Sequence, residues 1–256
     1  MRKKVLVPAM SLAILIPALA AMLVFGGGAP AASAHATPHQ SVPLALHLHH
    51  GKNSTSSNWS GYANTGGTFT DVKGSWTQPT ASCSSGQTAY SSFWVGIDGD
   101  TTNTVEQTGT DADCSSGTPV YYAWYEMYPK FPVNLSNTVR PGDSITAEVK
   151  VASGGKFTLT ISDSTQHWTF TTNQTSKKAK LGSAEWIAEA PSGSGGVLPL
   201  ANFGTVSFSN CTANGLSISS NPNPDAITMA SGSTTKATPS GLGGGGTSFS
   251  VTWKHS

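Results

Sequence analysis

From Ser57 to the end of the chain, apolar and polar residues alternate in short runs, broken by clusters of Gly, Asn, Ser and Pro. Runs rich in Val, Ile, Thr and aromatics with a period of two are the pattern of half-buried strands. About a dozen are predicted: NWSGYAN, FTDVKGSWTQ, AYSSFWVGID, NTVEQTGTD, VYYAWYEMY, DSITAEVKV, KFTLTISD, HWTFTT, AEWIAEA, GTVSFSNC, AITMA and SFSVTWK. The stretch SKKAKLGSAEWIAEA also reads as an amphipathic helix, with Leu181, Ala184, Ile187 and Ala188 on one side; Gly182 inside it and the surrounding pattern favour a strand. GLGGGG at 241–246 predicts a hairpin loop, and no internal repeat is present. Strands without intervening helical periods predict an all-β fold, a sandwich or barrel, in one domain.

The first residues follow a different pattern. Arg2, Lys3 and Lys4 precede a run from Val5 to Phe25 that is apolar apart from Ser11, and Ala32-Ser33-Ala34 offers a small-residue cleavage site. Residues 1–34 are therefore expected to be a secretory signal peptide. The run is also long enough to span a bilayer, so an uncleaved anchor is the rival reading; Pro8, Pro17 and the cleavage site favour removal. Residues 35–52 form a His- and Pro-rich propeptide or linker, and 53–256 the folded domain. Five of the seven histidines (His35, His39, His47, His49, His50) lie in that leader. They would gain charge as pH falls past roughly 6.5, which allows an acid-triggered release as well as a merely solvated leader.

Signal removal changes the charge. Fourteen basic residues less three leaves eleven against thirteen acidic ones, a net charge of −2. With no basic stripe, nucleic acid is not an expected partner. A surface of Ser, Thr, Asn and Gly gains little charge when carboxylates protonate, which is compatible with life in acid. Cys83, Cys114 and Cys211 are the cysteines; in an oxidising compartment one pair is expected, and Cys83 with Cys114 is favoured because both flank the same strands in Ser/Gly turns.

Elimination narrows the chemistry. Outside the leader only His167 and His255 remain, neither beside a nucleophile motif, and G-x-S-x-G is absent. Clustered zinc ligands are missing, so no zinc site is expected, and paired Asp-Thr/Ser-Gly motifs are missing too. Carboxylates, amides and aromatics are left. In VYYAWYEMYP, period two puts Tyr122, Trp124, Glu126 and Tyr128 on one face, either a binding cleft or a surface Glu among cross-strand aromatics. Trp94, Gly96 and Asp98 share a face in FWVGIDGD, although Asp98, Gly99 and Asp100 also read as a simple turn. Glu185 and Glu189 share a face but stand roughly 13 Å apart along a strand, too far to act as a pair. In NTVEQTGTD, the neighbours Glu106 and Gln107 point to opposite faces.

SSNWSGYA, FWVGIDGD, VEQTGTD, YYAWYEMYP, GDSITAEV and AEWIAEAP followed by LPLANFGTVSF occur in the order and approximate spacing of the glutamic peptidases, the eqolisin family, from about Asn58 to about Ser209. The chain resembles that family. The resemblance implies an antiparallel β-sandwich of two seven-stranded sheets with a concave substrate cleft, acting without cofactor on polypeptides in acid. It implies Gln107 and Glu189 as the catalytic pair, the amide holding water and stabilising an oxyanion while Glu189 acts as general base and then passes the proton to the leaving amine. Trp59, Trp94, Asp98, Glu126 and Tyr128 match supporting or substrate-binding positions. A secreted monomer is expected, free of the membrane once the signal is cleaved. Glu106 departs from the family pattern, because a carboxylate facing the space between sheets needs a partner or an exposed strand end. A carbohydrate- or peptide-binding sandwich without catalysis is the alternative; it has no need of Gln107 and Glu189 together.

Overall fold

The structure is a computed structural model that describes residues 53–100 and 102–256. The expected signal peptide and the His- and Pro-rich leader lie outside the described residues. In chain order the strands are β1 (Asn53–Ser56), β2 (Trp59–Thr65), β3 (Asp71–Thr77), β4 (Ser92–Ile97), β5 (Val105–Ser115) and β6 (Thr118–Tyr128). Next come β7 (Val133–Asn134), β8 (Ser144–Ala152), β9 (Lys156–Asp163), β10 (Trp168–Thr175), β11 (Ser183–Glu189), β12 (Ser192–Gly193) and β13 (Gly196–Val197). The last are β14 (Thr205–Ala213), β15 (Leu216–Ser217), β16 (Pro224–Ser231), β17 (Thr234–Pro239) and β18 (Phe249–Trp253).

One hydrogen-bonded path, β10-β9-β8-β3-β14-β18-β17-β16-β2-β11-β4-β5-β6-β7, runs through fourteen of them. It doubles over between β17 and β16, because β17 and β18 pack on β2, β3 and β8 on β4, and β8 and β9 on β5. The result is an open sandwich of two seven-stranded layers, the expected architecture. Pairing along the path is antiparallel, whereas β1 lies parallel to β16.

The two layers bury their strands differently, and the sequence pattern follows. In the first layer, β3, β8 and β9 alternate: Val72 and Trp76, Ile145, Ala147 and Val149, and Phe157, Leu159 and Ile161 face inward, with polar neighbours in solvent. In the second layer, β2, β4 and β11 are buried at every position. Phe93, Val95, Ile97 and Trp186 fill the space between the layers, while Trp59, Trp94, Trp124, Ile187 and Ile227 form a second cluster on the opposite face. Two polar ties cross the core: Trp186 donates its indole N–H to the Lys73 carbonyl (2.7 Å), and Trp76 donates to Thr110 Oγ1 (2.9 Å). A buried indole needs such an acceptor.

The 183–189 segment is a strand, as Gly182 and its surroundings suggested, and 241–246 lies in the β17–β18 hairpin connection, closed by a bridge between Gly243 and Ser248. β1 and β17 are not in the predicted set. NSTS carries no apolar period, and TTKATP contains Lys236 and a terminal proline. Cys83 is bonded to Cys114, and Cys211 is free and buried. The bridge closes a loop with a sequence separation of 31 residues. Replacing both cysteines by serine should lower unfolding stability by roughly 3–4 kcal/mol through the added loop entropy of the unfolded chain. Denaturant titration of the oxidised protein against the double variant measures this, and equal midpoints would contradict it.

Candidate active site

Strand register builds the outer face of the second layer row by row. One row runs Asp225, Ala63, Glu185, Gly96, Gln107, Glu126 across β16, β2, β11, β4, β5 and β6. Two residues along, the next row is Ile227, Gly61, Ile187, Trp94, Gly109, Trp124. The third holds Trp59, Glu189, Ser92, Asp111 and Tyr122. The aromatic–acid alternation of β6 thus faces this surface, as its period suggested.

Gln107 and Glu189 lie in different rows and two strands apart, and Trp94 spans the interval. Its indole N–H donates to Glu189 Oε2 at 2.8 Å. The far edge of the ring covers Gly96, where a Cβ would come within 2.9 Å of Trp94 Cζ3 and 3.1 Å of the Gln107 Cβ. Gly109 lets the indole lie down, since a Cβ there would stand 2.6 Å from the Trp94 Cβ. The amide and the carboxyl are therefore brought to opposite ends of one ring. Trp59 packs edge-on against it, centroids 5.0 Å apart.

Each member of the pair is oriented. Gln107 Nε2 donates to Glu126 Oε2 at 2.6 Å, which turns the amide oxygen the other way. That Oε1 is buried and has no partner within the protein. Glu189 accepts from Asn58 Nδ2 on Oε1 (3.1 Å) and from Trp94 on Oε2. Burial pushes its pKa up to about 8; the indoles of Trp94 and Trp59 and the Asn58 amide pull the other way, and the charge of Asp111 adds to the rise. Asp111 is itself held by the Trp124 indole (2.5 Å) and by the Tyr122 hydroxyl (2.7 Å), which also lies 2.9 Å from Asp113 Oδ2. Burial, followed by these two carboxylates, raises the Tyr122 pKa well above its ordinary value.

The sequence-derived residues thus divide. Trp59, Trp94, Glu126, Gln107 and Glu189 come together, and half-buried Tyr128 packs on the same cluster. Asp98 does not join them. It leaves strand geometry at φ 70°, and its carboxylate accepts the backbone N–H groups of Lys180, Leu181 and Gly182 at 2.7–2.9 Å, pinning the loop that leads into β11. Asn58, Asp111 and Tyr122 were not singled out as site residues. Asp111 was within reach of the pattern, four residues after Gln107 on the same face.

Glu106 is fully buried on the inner face, where burial pushes its pKa to about 7, opposed by the Ser176 hydroxyl and reinforced by Asp98. Asp100 rises to about 7 through burial and then Asp225, and Glu185 rises well above its usual range through burial, against the Ser183 hydroxyl, with Asp100 and Asp98 adding. Neither histidine of the described residues, His167 in the turn before β10 or His255 after β18, belongs to this face. No cluster of three or more His, Cys, Asp or Glu among the described residues is arranged to hold a metal ion.

Together these features define a class: a two-layer β-sandwich with a buried carboxyl and an oriented amide at opposite ends of one indole on its outer sheet face. The peptidase A4 family matches residues 57–253, and the chain belongs to that family. It is 37% identical over 183 residues to aspergillopepsin-2 of Aspergillus niger, covering 62% of this chain and 64% of that protein. Scytalidopepsin B of Scytalidium lignicola is 34% identical over 177 residues, covering 64% and 66%. The chain thus spans just under two thirds of the length of these relatives. A crystal structure of scytalido-glutamic peptidase with a peptide-based transition state analog superposes with a TM-score of 0.66 at 28% identity, over 77% of this chain and 98% of that one. Aspergilloglutamic peptidase from Aspergillus niger gives 0.58 at 29% identity, over 65% and 99%.

Glu106, Asp100 and Glu189 hold protons in the fold that the unfolded chain releases above the ordinary carboxyl range. Their contribution is complete below about pH 4 and is lost as pH rises toward 7–8, on the order of 4 kcal/mol per group. Urea midpoints should therefore fall between pH 4 and pH 8. Glu106→Gln should narrow that difference; a midpoint that rises with pH, or a variant with an undiminished difference, would contradict the assignment.

Proposed function

We propose that the chain is an exported endopeptidase that hydrolyses peptide bonds in acid, as a monomer, through Gln107 and Glu189. The observation that carries this reading is the placement of both residues around the Trp94 indole, the carboxyl raised to about 8 and the amide oxygen unpartnered. Family membership and the peptide-based analog bound by scytalido-glutamic peptidase support polypeptides as substrate class. The signal-like start and the disulfide support export.

A carboxyl with a pKa near 8 is protonated throughout the acid range, so Glu189 meets the substrate as an acid before it serves as a base. Glu189 gives its proton to the scissile carbonyl oxygen while its other oxygen takes one from the attacking water. The product is a neutral gem-diol, and Glu189 is again protonated. It then protonates the amide nitrogen and recovers a proton from one gem-diol hydroxyl as the C–N bond breaks, giving a carboxylic acid and an amine. Gln107 does not titrate; its Oε1 accepts from the water and its second N–H is free to meet the oxygen that develops charge. The general-base role implied by the resemblance is the second half of this exchange. A sugar-binding face is less well supported, because the Trp94 and Trp124 indole N–H groups are committed to Glu189 and Asp111.

Casein digestion across pH 2–9, with and without pepstatin and a chelator, tests the reading. Insensitive cleavage in acid that declines as pH passes about 8 is expected, and Glu189→Gln should abolish it. Gln107→Ala should cost on the order of 100-fold or more in kcat. Undiminished proteolysis by Glu189→Gln would overturn the assignment.

A further inference from the structure

The strongest unassigned feature is the way the first strand reaches Glu189. β1 ends at Ser56, and its hydroxyl is fully used: it accepts the N–H groups of Asn58 (3.3 Å) and Trp59 (3.0 Å) and donates to Asn58 Oδ1 (3.2 Å). Because the serine proton sits on Oδ1, the Asn58 amide has only its NH2 to offer Glu189 Oε1. The Asn58 carbonyl accepts the N–H of Ala190, the residue after Glu189, at 2.8 Å. Asn58 is 1% exposed, so this grip works without competition from bulk water. β1 in turn is fixed by its parallel ladder with β16 and by Asp225, whose Oδ1 accepts the N–H of Ser54 at 2.9 Å.

We propose that Asn58, held by Ser56, is the positioning residue that fixes the Glu189 rotamer and dictates where that carboxyl carries its proton. This rests on Glu189 being the titrating member of the catalytic pair. With Asn58 donating to Oε1 and Trp94 to Oε2, both oxygens already accept an N–H, and the acid proton takes a remaining lone-pair direction, away from both donors. A flipped or absent side-chain amide at 58 leaves that proton free to turn toward position 58 and away from the reacting water. The site is therefore complete only when the 53–58 segment is docked, which makes the N-terminal strand part of the catalytic apparatus.

Other groups bear on the same carboxyl. Asp111 on β5 adds negative charge, and Tyr122 on β6 shares its row; β4 and β2 present Ser92, Trp94 and Trp59, which do not titrate, and Glu185 lies four residues back on its own strand. All of these side chains are retained when Asn58 is replaced, so a shift in titration is read against the same set of charged groups.

The test compares Asn58→Ala, Ser56→Ala and Glu189→Gln with the wild type on a fluorogenic peptide from pH 3 to 9, with circular dichroism to check folding. Asn58→Ala should lower kcat about 10- to 100-fold with KM within about twofold, because what is lost is transition-state geometry and not binding. Removing a donor that favours the ionised form raises the Glu189 pKa, so the falling limb of the profile should move to higher pH. Ser56→Ala, which keeps the amide but frees it to flip, should move both quantities in the same direction by less, and it carries the test if Asn58→Ala does not fold. An unchanged kcat, or a reduced kcat with the limb in its wild-type place, overturns the proposal. An active Glu189→Gln overturns the underlying catalytic reading instead, so the two failures are distinguishable.

Discussion

Eleven of the thirteen acidic side chains are buried, and the constraint this imposes runs through the whole molecule. Lys150 pairs with the other two, Asp71 and Glu148, on the solvent face of the first layer. For Glu106, Asp100, Glu185 and Glu189 the dominant influence is burial, with neighbouring carboxylates adding to it. A carboxyl taken out of water without a cation is tolerated when it is neutral or when donors surround it. The fold uses both solutions: three backbone N–H groups for Asp98, indole and phenol donors for Asp111, and retained protons for Glu106 and Asp100. Its chemistry and its stability thus draw on the same proton inventory, and both favour acid.

The second consequence is spatial. A layer buried on both faces has no open solvent side on which to leave polar groups, so the polar atoms of β4, β5 and β11 depend on partners from the sheet itself, and Gln107 Oε1 stands out as one left without. Tryptophan answers this need, offering a large apolar body and one directed N–H. Trp94 and Trp124 bind carboxylates on the cleft face, while Trp76 and Trp186 tie the layers together on the other. Glycine at 96 and 109 makes room for the Trp94 ring, and through it the register of three strands becomes the separation of amide and carboxyl.

Much of this was legible beforehand. Period-two patterning located the long strands, because alternation is strong wherever one face meets solvent, as in β3, β8 and β9. It was less informative about ends: β5 runs on to Ser115, beyond the predicted Asp111, as a strand buried along nearly its full length carries no polar signal at which to stop. β1 escaped notice because Asn53, Ser54, Thr55 and Ser56 are small and polar; their strand form is dictated by pairing with β16, a tertiary fact. Gln107 and Glu189 came from the family resemblance and not from period or spacing, which could say only that Glu185 and Glu189 were a poor pair. Asp98 entered the candidate site through the resemblance, whereas the pattern around it favoured a turn; its positive φ and its hold on the loop before β11 agree with the turn. The oddity of Glu106 has a physical answer: it sits at the start of β5 between the layers, kept neutral by burial.

The central claim is that Glu189 carries its proton throughout the acid range and is the group that moves it. Infrared difference spectra of wild type against Glu189→Gln, recorded from pH 4 to 9, read that proton directly through the carboxylic acid C=O stretch. The Glu189 band should be present at pH 6 and disappear around pH 8. A Glu189 already ionised at pH 6 would contradict it.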